Sequence, residues 1–136
     1  MLVSAASISV PLFALVLRKG YGLGAQAMTG GDFSAAALTI AWPTAEFGPM
    51  GLEGAVRLGY RKELDAEPDP AARQALFEKL VGRMYENGKA LSVASVVEID
   101  AVIDPAETRA WIIRGLRACQ TAPRAPGKKR PFVDVW

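Results

Sequence analysis

"VPLFALVLRKGYGLGAQAMTGG", residues 10–31, runs from an apolar segment into a stretch with five glycines among the fourteen residues from Arg18 to Gly31. Pro11 disfavours helix at Ser9 and Val10 and opens an extended run that ends at Arg18. That run is apolar on both faces, which suits a central parallel strand. The glycines then make a loop, "AQAM" (25–28) forms helix, and "TGG" (29–31) stops it. A second strand, "ALTIAWP" (37–43), ends at Pro43.

Beyond this point the period lengthens. "MGLEGAVRLGYRKEL" (50–64) sets Leu52, Val56 and either Leu58 or Gly59 on one side of a helix, with Arg57, Arg61 and Lys62 opposite. Asp69 and Pro70 form an N-cap and N1 pair. The helix after them carries a packing stripe of Leu76, Phe77, Leu80, Val81, Met84 and Tyr85. Asn87 and Gly88 stop it, and "GKALSVASVV" (88–97) gives a further short helix. Asp104, Pro105 and Glu107 repeat the start signal, and Trp111, Ile112, Leu116 and Cys119 mark the inner face of the last helix. The tail at 120–136, with three prolines, is extended. The order of elements is α/β but lopsided: few parallel strands, then several helices. Two parallel strands alone would leave open edges, so further strands are expected from elsewhere.

Composition narrows the chemistry. The 136 residues are 51% hydrophobic and 22% charged, and the first fifty hold only Arg18, Lys19, Asp32 and Glu46 among the charged types. That third of the chain resembles an interior. There is no histidine, which excludes a Ser-His-Asp triad, a Cys-His pair and a His-ligated metal within this chain. No metal is expected. One cysteine, Cys119, allows no internal disulfide and suits a reducing, cytoplasmic setting. Residues 2–17 are uncharged but fall short of the roughly 20 needed for a membrane span. Four basic residues in a tail are most simply solvated, so no nucleic acid is expected.

The glycine loop has three readings. Gly22, Gly24 and Ala27 satisfy the dinucleotide fingerprint G-x-G-x-x-G/A, with Glu46 near the place of a ribose-binding acid. Against this, Arg18 to Tyr21 separate strand from fingerprint and the helix is cut short. A second reading is a tight turn needing positive φ. The third is an oxyanion hole, in which backbone N–H groups and a helix N-terminus meet a ligand oxygen without histidine, cysteine or metal.

Four separated motifs favour the third: Arg18-Lys19 with Tyr21-Gly22, Trp42-Pro43 with Glu46, Met50-Gly51 with Glu53-Gly54, and Asp104-Pro105 with Thr108-Arg109. "VLRKGYGLGAQAM" (16–28), "AWPTAEFGPMGLEGAV" (41–56), "EIDAVIDPAETRAWIIRGL" (98–116) and "GKKRP" (127–131) together resemble the carboxyltransferase component, or beta chain, of biotin-dependent acyl-CoA carboxylases. The resemblance implies a crotonase-like fold, with residues 1–136 forming the C-terminal part of its second, biotin-side domain and Met1 falling within a helix that precedes the biotin-side strand. It also implies transfer of a carboxyl group from carboxybiotin to the α-carbon of an acyl-CoA. The two stabilising amides then fall at Leu23 and Gly24, or alternatively at Gly24 and Ala25, flanked by Gly22 and Ala25 as cofactor-binding positions. The commoner pattern is Gly-Gly-Ala where this chain has Gly22-Leu23-Gly24. Gln26 matches a position that influences acyl-chain selectivity. The implied partners are acyl-CoA, the biotin carboxyl carrier and biotin carboxylase subunit, the N-terminal carboxyltransferase half and further copies in a homo-oligomer. Alone, the chain is expected to be inactive; the alternatives are a non-catalytic split or assembly subunit and a dinucleotide-binding domain.

Overall fold

A computed structural model describes residue 8 and residues 10–119. The helix end expected ahead of Pro11 falls largely outside those residues, and the tail at 120–136 falls wholly outside them. Strand β1 (Phe13–Val16) is followed almost at once by β2 (Lys19–Tyr21), which runs directly into helix α1 (Gly22–Met28). Strands β3 (Leu38–Ala41) and β4 (Glu46–Gly48) repeat the pairing of two short strands in succession. Helices α2 (Leu52–Gly59), α3 (Arg61–Ala66), α4 (Pro70–Asn87) and α5 (Ala90–Ser95) follow. A two-residue strand β5 (Ala101–Val102), a 3-10 turn (Pro105–Glu107) and helix α6 (Thr108–Ala118) complete the described chain.

The strands form two parallel sheets, one ordered β1-β3-β5 and the other β2-β4. In the first, Phe13 pairs with Leu38 and Val16 with Ala41; in the second, Lys19 pairs with Glu46 and Tyr21 with Gly48. The chain thus crosses from one sheet to the other twice, along neighbouring paths. Three hydrogen bonds join the crossings: Trp42 N–H to the Val16 carbonyl at 3.0 Å, Glu46 N–H to the Arg18 carbonyl at 2.6 Å, and the Thr44 hydroxyl to the Leu17 carbonyl at 2.6 Å.

The segment expected as a loop, Lys19 to Tyr21, is therefore a strand. Three residues of mixed polarity carry no period, and the ladder that makes them a strand comes from β4. Strand β1 pairs with β3 on one side. Among the described residues it ends its sheet, with Ala14 buried and its other three residues half-buried, while β3 is central and buries Thr39, Ile40 and Ala41.

The core gathers Ala41, Ala45, Phe47, Ala90, Val93 and Ile99, and Phe33 meets Phe47 edge-on with ring centroids 5.2 Å apart. From α2, Leu52, Ala55 and Val56 are buried, whereas Leu58 is 68% exposed and Gly59 is also exposed. The α4 stripe is half-buried at all six positions, and the Arg57 guanidinium of α2 lies 4.8 Å from the Phe77 ring. Both caps form as expected: the Asp69 carboxylate accepts from the amides of Ala71 and Ala72, and that of Asp104 from Ala106. Helix α6 turns Gly115 inward, where an added Cβ would stand 2.5 Å from Phe13 Cε1 and 3.2 Å from Leu38 Cδ2. Leu116, expected on the inner face, is one helical step round from that contact and is 54% exposed.

Candidate functional site

The glycine stretch is a strand-to-helix junction. Tyr21 is the last residue of β2 and the N-cap of α1, with extended dihedrals (φ −112°, ψ 135°). Gly22 then takes φ +60°, and a Cβ there would stand 2.7 Å from the Pro49 carbonyl oxygen. Only glycine allows both the left-handed turn and the close passage over Pro49. The first amides of α1, those of Gly22, Leu23 and Gly24, have no carbonyl within their own helix to bond. No side chain caps this end, and no acid lies in its first turn.

The other end of α1 is the opposite case. Thr29 N–H donates to the Ala25 and Gln26 carbonyls, its hydroxyl donates to the same two, and Gly31 N–H donates to Gln26. The first turn of the helix thus has no side-chain cap and carries the partial positive charge of the helix dipole. Around that pole Leu23 is 70% exposed, Gly24 is open with nothing within 4 Å of an added Cβ, and Ala25 and Gln26 are half-buried. The adjacent N-terminus of α2 differs: its first turn holds Glu53, whose carboxyl is kept below its ordinary range by its own backbone amide, then by the Tyr85 hydroxyl and by Lys19.

Beneath the junction the Tyr21 hydroxyl donates to Glu46 Oε2 at 2.9 Å, both side chains being half-buried. Glu46, weighed above as a ribose-binding acid, lies on β4 as the acceptor of this bond. Burial, then the bond to Glu46 and its charge, raise the Tyr21 hydroxyl well above its ordinary value of 10.0. The neutral phenol is therefore favoured by folding. Its stabilising contribution is complete below about pH 10 and declines as the pH rises toward the raised folded value. Urea midpoints of the wild-type chain are expected to fall between pH 9 and pH 11, roughly the window where free tyrosines ionise, more steeply than those of Tyr21→Phe.

A cleft of about 820 Å³ lies beside the junction, bordered by Gln26, Phe47, Pro49, Leu52, Gly88 and Val93 among others. Of the sequence-chosen site residues only Gln26 lines it; Gly22, Leu23, Gly24 and Ala25 do not. Trp42 is half-buried and donates from Nε1 to Thr108 Oγ1 at 3.0 Å, tying β3 to the start of α6. The part of Pro49 in shaping the Gly22 turn, and the Tyr21–Glu46 bond, were not foreseen; both needed the β2–β4 pairing. The objection that Arg18 to Tyr21 hold the fingerprint away from a strand does not stand either, since β2 abuts Gly22. What separates this arrangement from a dinucleotide fold is the two-stranded sheet behind α1 and the end of α1 at Met28. Among the described residues no helix is long and apolar enough to cross a membrane.

Parallel strands, a strand-to-helix junction without a side-chain cap and a following set of helices define part of a crotonase-like α/β fold. Residues 1–132 match the carboxyl transferase domain family, and the chain belongs to that family. The methylmalonyl-CoA carboxyltransferase 12S subunit of Propionibacterium freudenreichii subsp. shermanii is 38% identical over 130 residues, covering 95% of this chain and 24% of the relative. The propionyl-CoA carboxylase carboxyltransferase subunit of Haloferax mediterranei is 35% identical over 129 residues, with 93% and 24% covered. Among solved structures, the transcarboxylase 12S hexamer with methylmalonyl-coenzyme A and methylmalonic acid bound superposes with a TM-score of 0.77 at 32% identity, covering 96% of this chain and 25% of that one. A single-chain, multi-domain long-chain acyl-CoA carboxylase is 57% identical with a TM-score of 0.67, covering 83% and 11%. The chain thus spans about a quarter of the length of the curated relatives it matches.

Proposed function

We propose that this chain supplies the biotin-side half of a carboxyltransferase site in an acyl-CoA carboxylase. The observation that carries the reading is the uncapped first turn of α1, opened by Gly22 at φ +60°, in a chain that matches the carboxyl transferase family from residue 1 to residue 132. The residues suit a biotin ring system: two consecutive N–H donors, open space over Gly24, and no acid in the first turn to repel a ureido oxygen that gains negative charge.

When bound, carboxybiotin supplies the carboxyl group that the α-carbon of an acyl-CoA accepts. The chain's own part is electrostatic. The amides of Leu23 and Gly24 donate to the ureido oxygen, and the α1 pole adds to the field felt there. Aligned donors of this kind are worth roughly 10²–10³ each in rate. Gly22 sets their direction, Ala25 stands next in the turn, and Gln26 meets the acyl group. The acyl-CoA half, the carrier and the biotin carboxylase are the partners of this half-site, and the site works in an oligomer in the cytoplasm. Alone, the chain is expected not to decarboxylate malonyl- or methylmalonyl-CoA in the presence of free biotin.

Titrating the ¹⁵N-labelled chain with free biotin tests the site. The Leu23 and Gly24 amides are expected to shift most; shifts confined to the Phe47–Val93 cleft, with α1 unmoved, sink the reading. The half-buried α4 stripe favours one second reading, an assembly subunit without a catalytic role. Copurification with an N-terminal carboxyltransferase half, in a complex that lacks biotin-dependent decarboxylation, would select it.

A further inference from the structure

The hydrogen bond between Tyr21 and Glu46 has a place in the fold that points to a task beyond stability. Tyr21 closes β2, caps α1 and pairs across the sheet with Gly48, so it is the last fixed residue before the Gly22 turn. Its ring packs over that partner: an added Cβ on Gly48 would lie 3.5 Å from Tyr21 Cδ1. Glu46, the acceptor, is itself held at three points. Its amide bonds Arg18, it pairs with Lys19 within the sheet, and it bridges antiparallel to Lys89 beyond α4. The Lys19 ammonium lies 5.8 Å from the centre of the Tyr21 ring.

We infer that Glu46 is a positioning residue: through the Tyr21 hydroxyl it fixes the β2–α1 junction, and with it the direction of the Leu23 and Gly24 amides. The inference rests on the reading of those amides as the biotin-facing donors. A chain that turns at a glycine has a freely variable exit angle unless the residue before it is anchored, because glycine accepts many dihedrals at similar cost. β-Pairing anchors the Tyr21 backbone on one side only, since β2 has β4 as its sole neighbour in that sheet among the described residues. The phenol supplies a second anchor to the same strand, through the side chain rather than the backbone. A bond to a carboxylate is about twice as strong as one between neutral groups, which makes Glu46 a better anchor than a carbonyl.

The experiment compares Tyr21→Phe, Glu46→Ala and Glu46→Gln in the full chain by two measurements. The first is the ¹⁵N–¹H shift and hydrogen-exchange rate of the Leu23 and Gly24 amides without ligand. The second is the affinity for free biotin. Tyr21→Phe and Glu46→Ala are expected to move both unliganded amide signals and to weaken biotin binding by about tenfold, the factor that corresponds to losing one hydrogen bond to a charged group. Glu46→Gln keeps an acceptor for the phenol and is expected to stay within about twofold of wild type, a rescue that general loosening would not produce. The inference is overturned if Tyr21→Phe leaves the two unliganded signals in place, or if Glu46→Gln behaves as Glu46→Ala. Should Tyr21→Phe fail to fold, the two Glu46 variants decide the matter. Absence of biotin binding at α1 in the wild-type chain would instead overturn the carboxyltransferase reading, and the unliganded shifts would still decide the role of Glu46.

Discussion

Replacing Gly22 with alanine is expected to cost about 3 kcal/mol and to abolish the biotin-induced shifts at Leu23 and Gly24. Two penalties act together. A non-glycine residue at φ +60° costs roughly 1–3 kcal/mol. The new methyl group would also stand 2.7 Å from the Pro49 carbonyl oxygen, a backbone atom that cannot swing aside. Relief of that overlap moves either α1 or the Pro49–Met50 turn, so the amides lose their aim as the fold loosens. Gly24→Ala is the control, because its Cβ enters open space and the amide stays in place. Thermal and urea melts should put Gly24→Ala within about 0.5 kcal/mol of wild type. A Gly22→Ala chain as stable as the Gly24→Ala chain would show that the turn is not as described.

The second large effect is expected at Gly88, for a reason that involves no special dihedral. Gly88 caps α4 at φ −83°, which any residue accepts, yet an added Cβ would stand 2.3 Å from the Phe47 carbonyl oxygen and 3.2 Å from that of Met84. The two backbones are this close because Phe47 N–H donates to the Gly88 carbonyl at 2.7 Å. Gly88→Ala must part them, breaking that bond and lifting α4 from β4. A loss of about 3 kcal/mol is expected, or roughly 10 °C in the melting midpoint. Far-UV circular dichroism during heating measures it. Phe47 and Gly88 also border the cleft beside Gln26, so a folded Gly88→Ala chain should show its amide shifts there and leave Leu23 and Gly24 nearly unmoved.

These two glycines show what a single sequence discloses and what it withholds. Gly88 was readable as a helix stop, because Asn-Gly after a long apolar stripe is a local signal. That it also touches β4 was not readable, since Phe47 is far away in the chain. The caps at Asp69 and Asp104 were readable for the same local reason and form as expected. Strand β2 was missed because its three residues owe their conformation to β4. Leu116 was assigned inward by its apolar character, but the contact of α6 with Phe13 and Leu38 needs a residue without a side chain, and Gly115 takes that place. At the site, the helix-forming "AQAM" was legible, whereas the start of α1 at Gly22, and hence the exposure of its first amides, depended on Pro49 and Tyr21. The geometry gives a reason for glycine at position 22, whereas at Gly24 an added Cβ would meet nothing within 4 Å.

The paired crossings between the sheets carry one more consequence. In a lone parallel pair, a slip by one residue exchanges inner for outer side chains and is resisted only by burial. Here a slip of β1 against β3 would drag Leu17 and Arg18 past Thr44 and Glu46, and so force the same slip on β2 against β4. Gly22 would then no longer sit over Pro49, and a residue with a side chain would be pressed against that carbonyl. The alignment of the first sheet is thus proofread by the second, and a misregistered chain is rejected at the Gly22 turn.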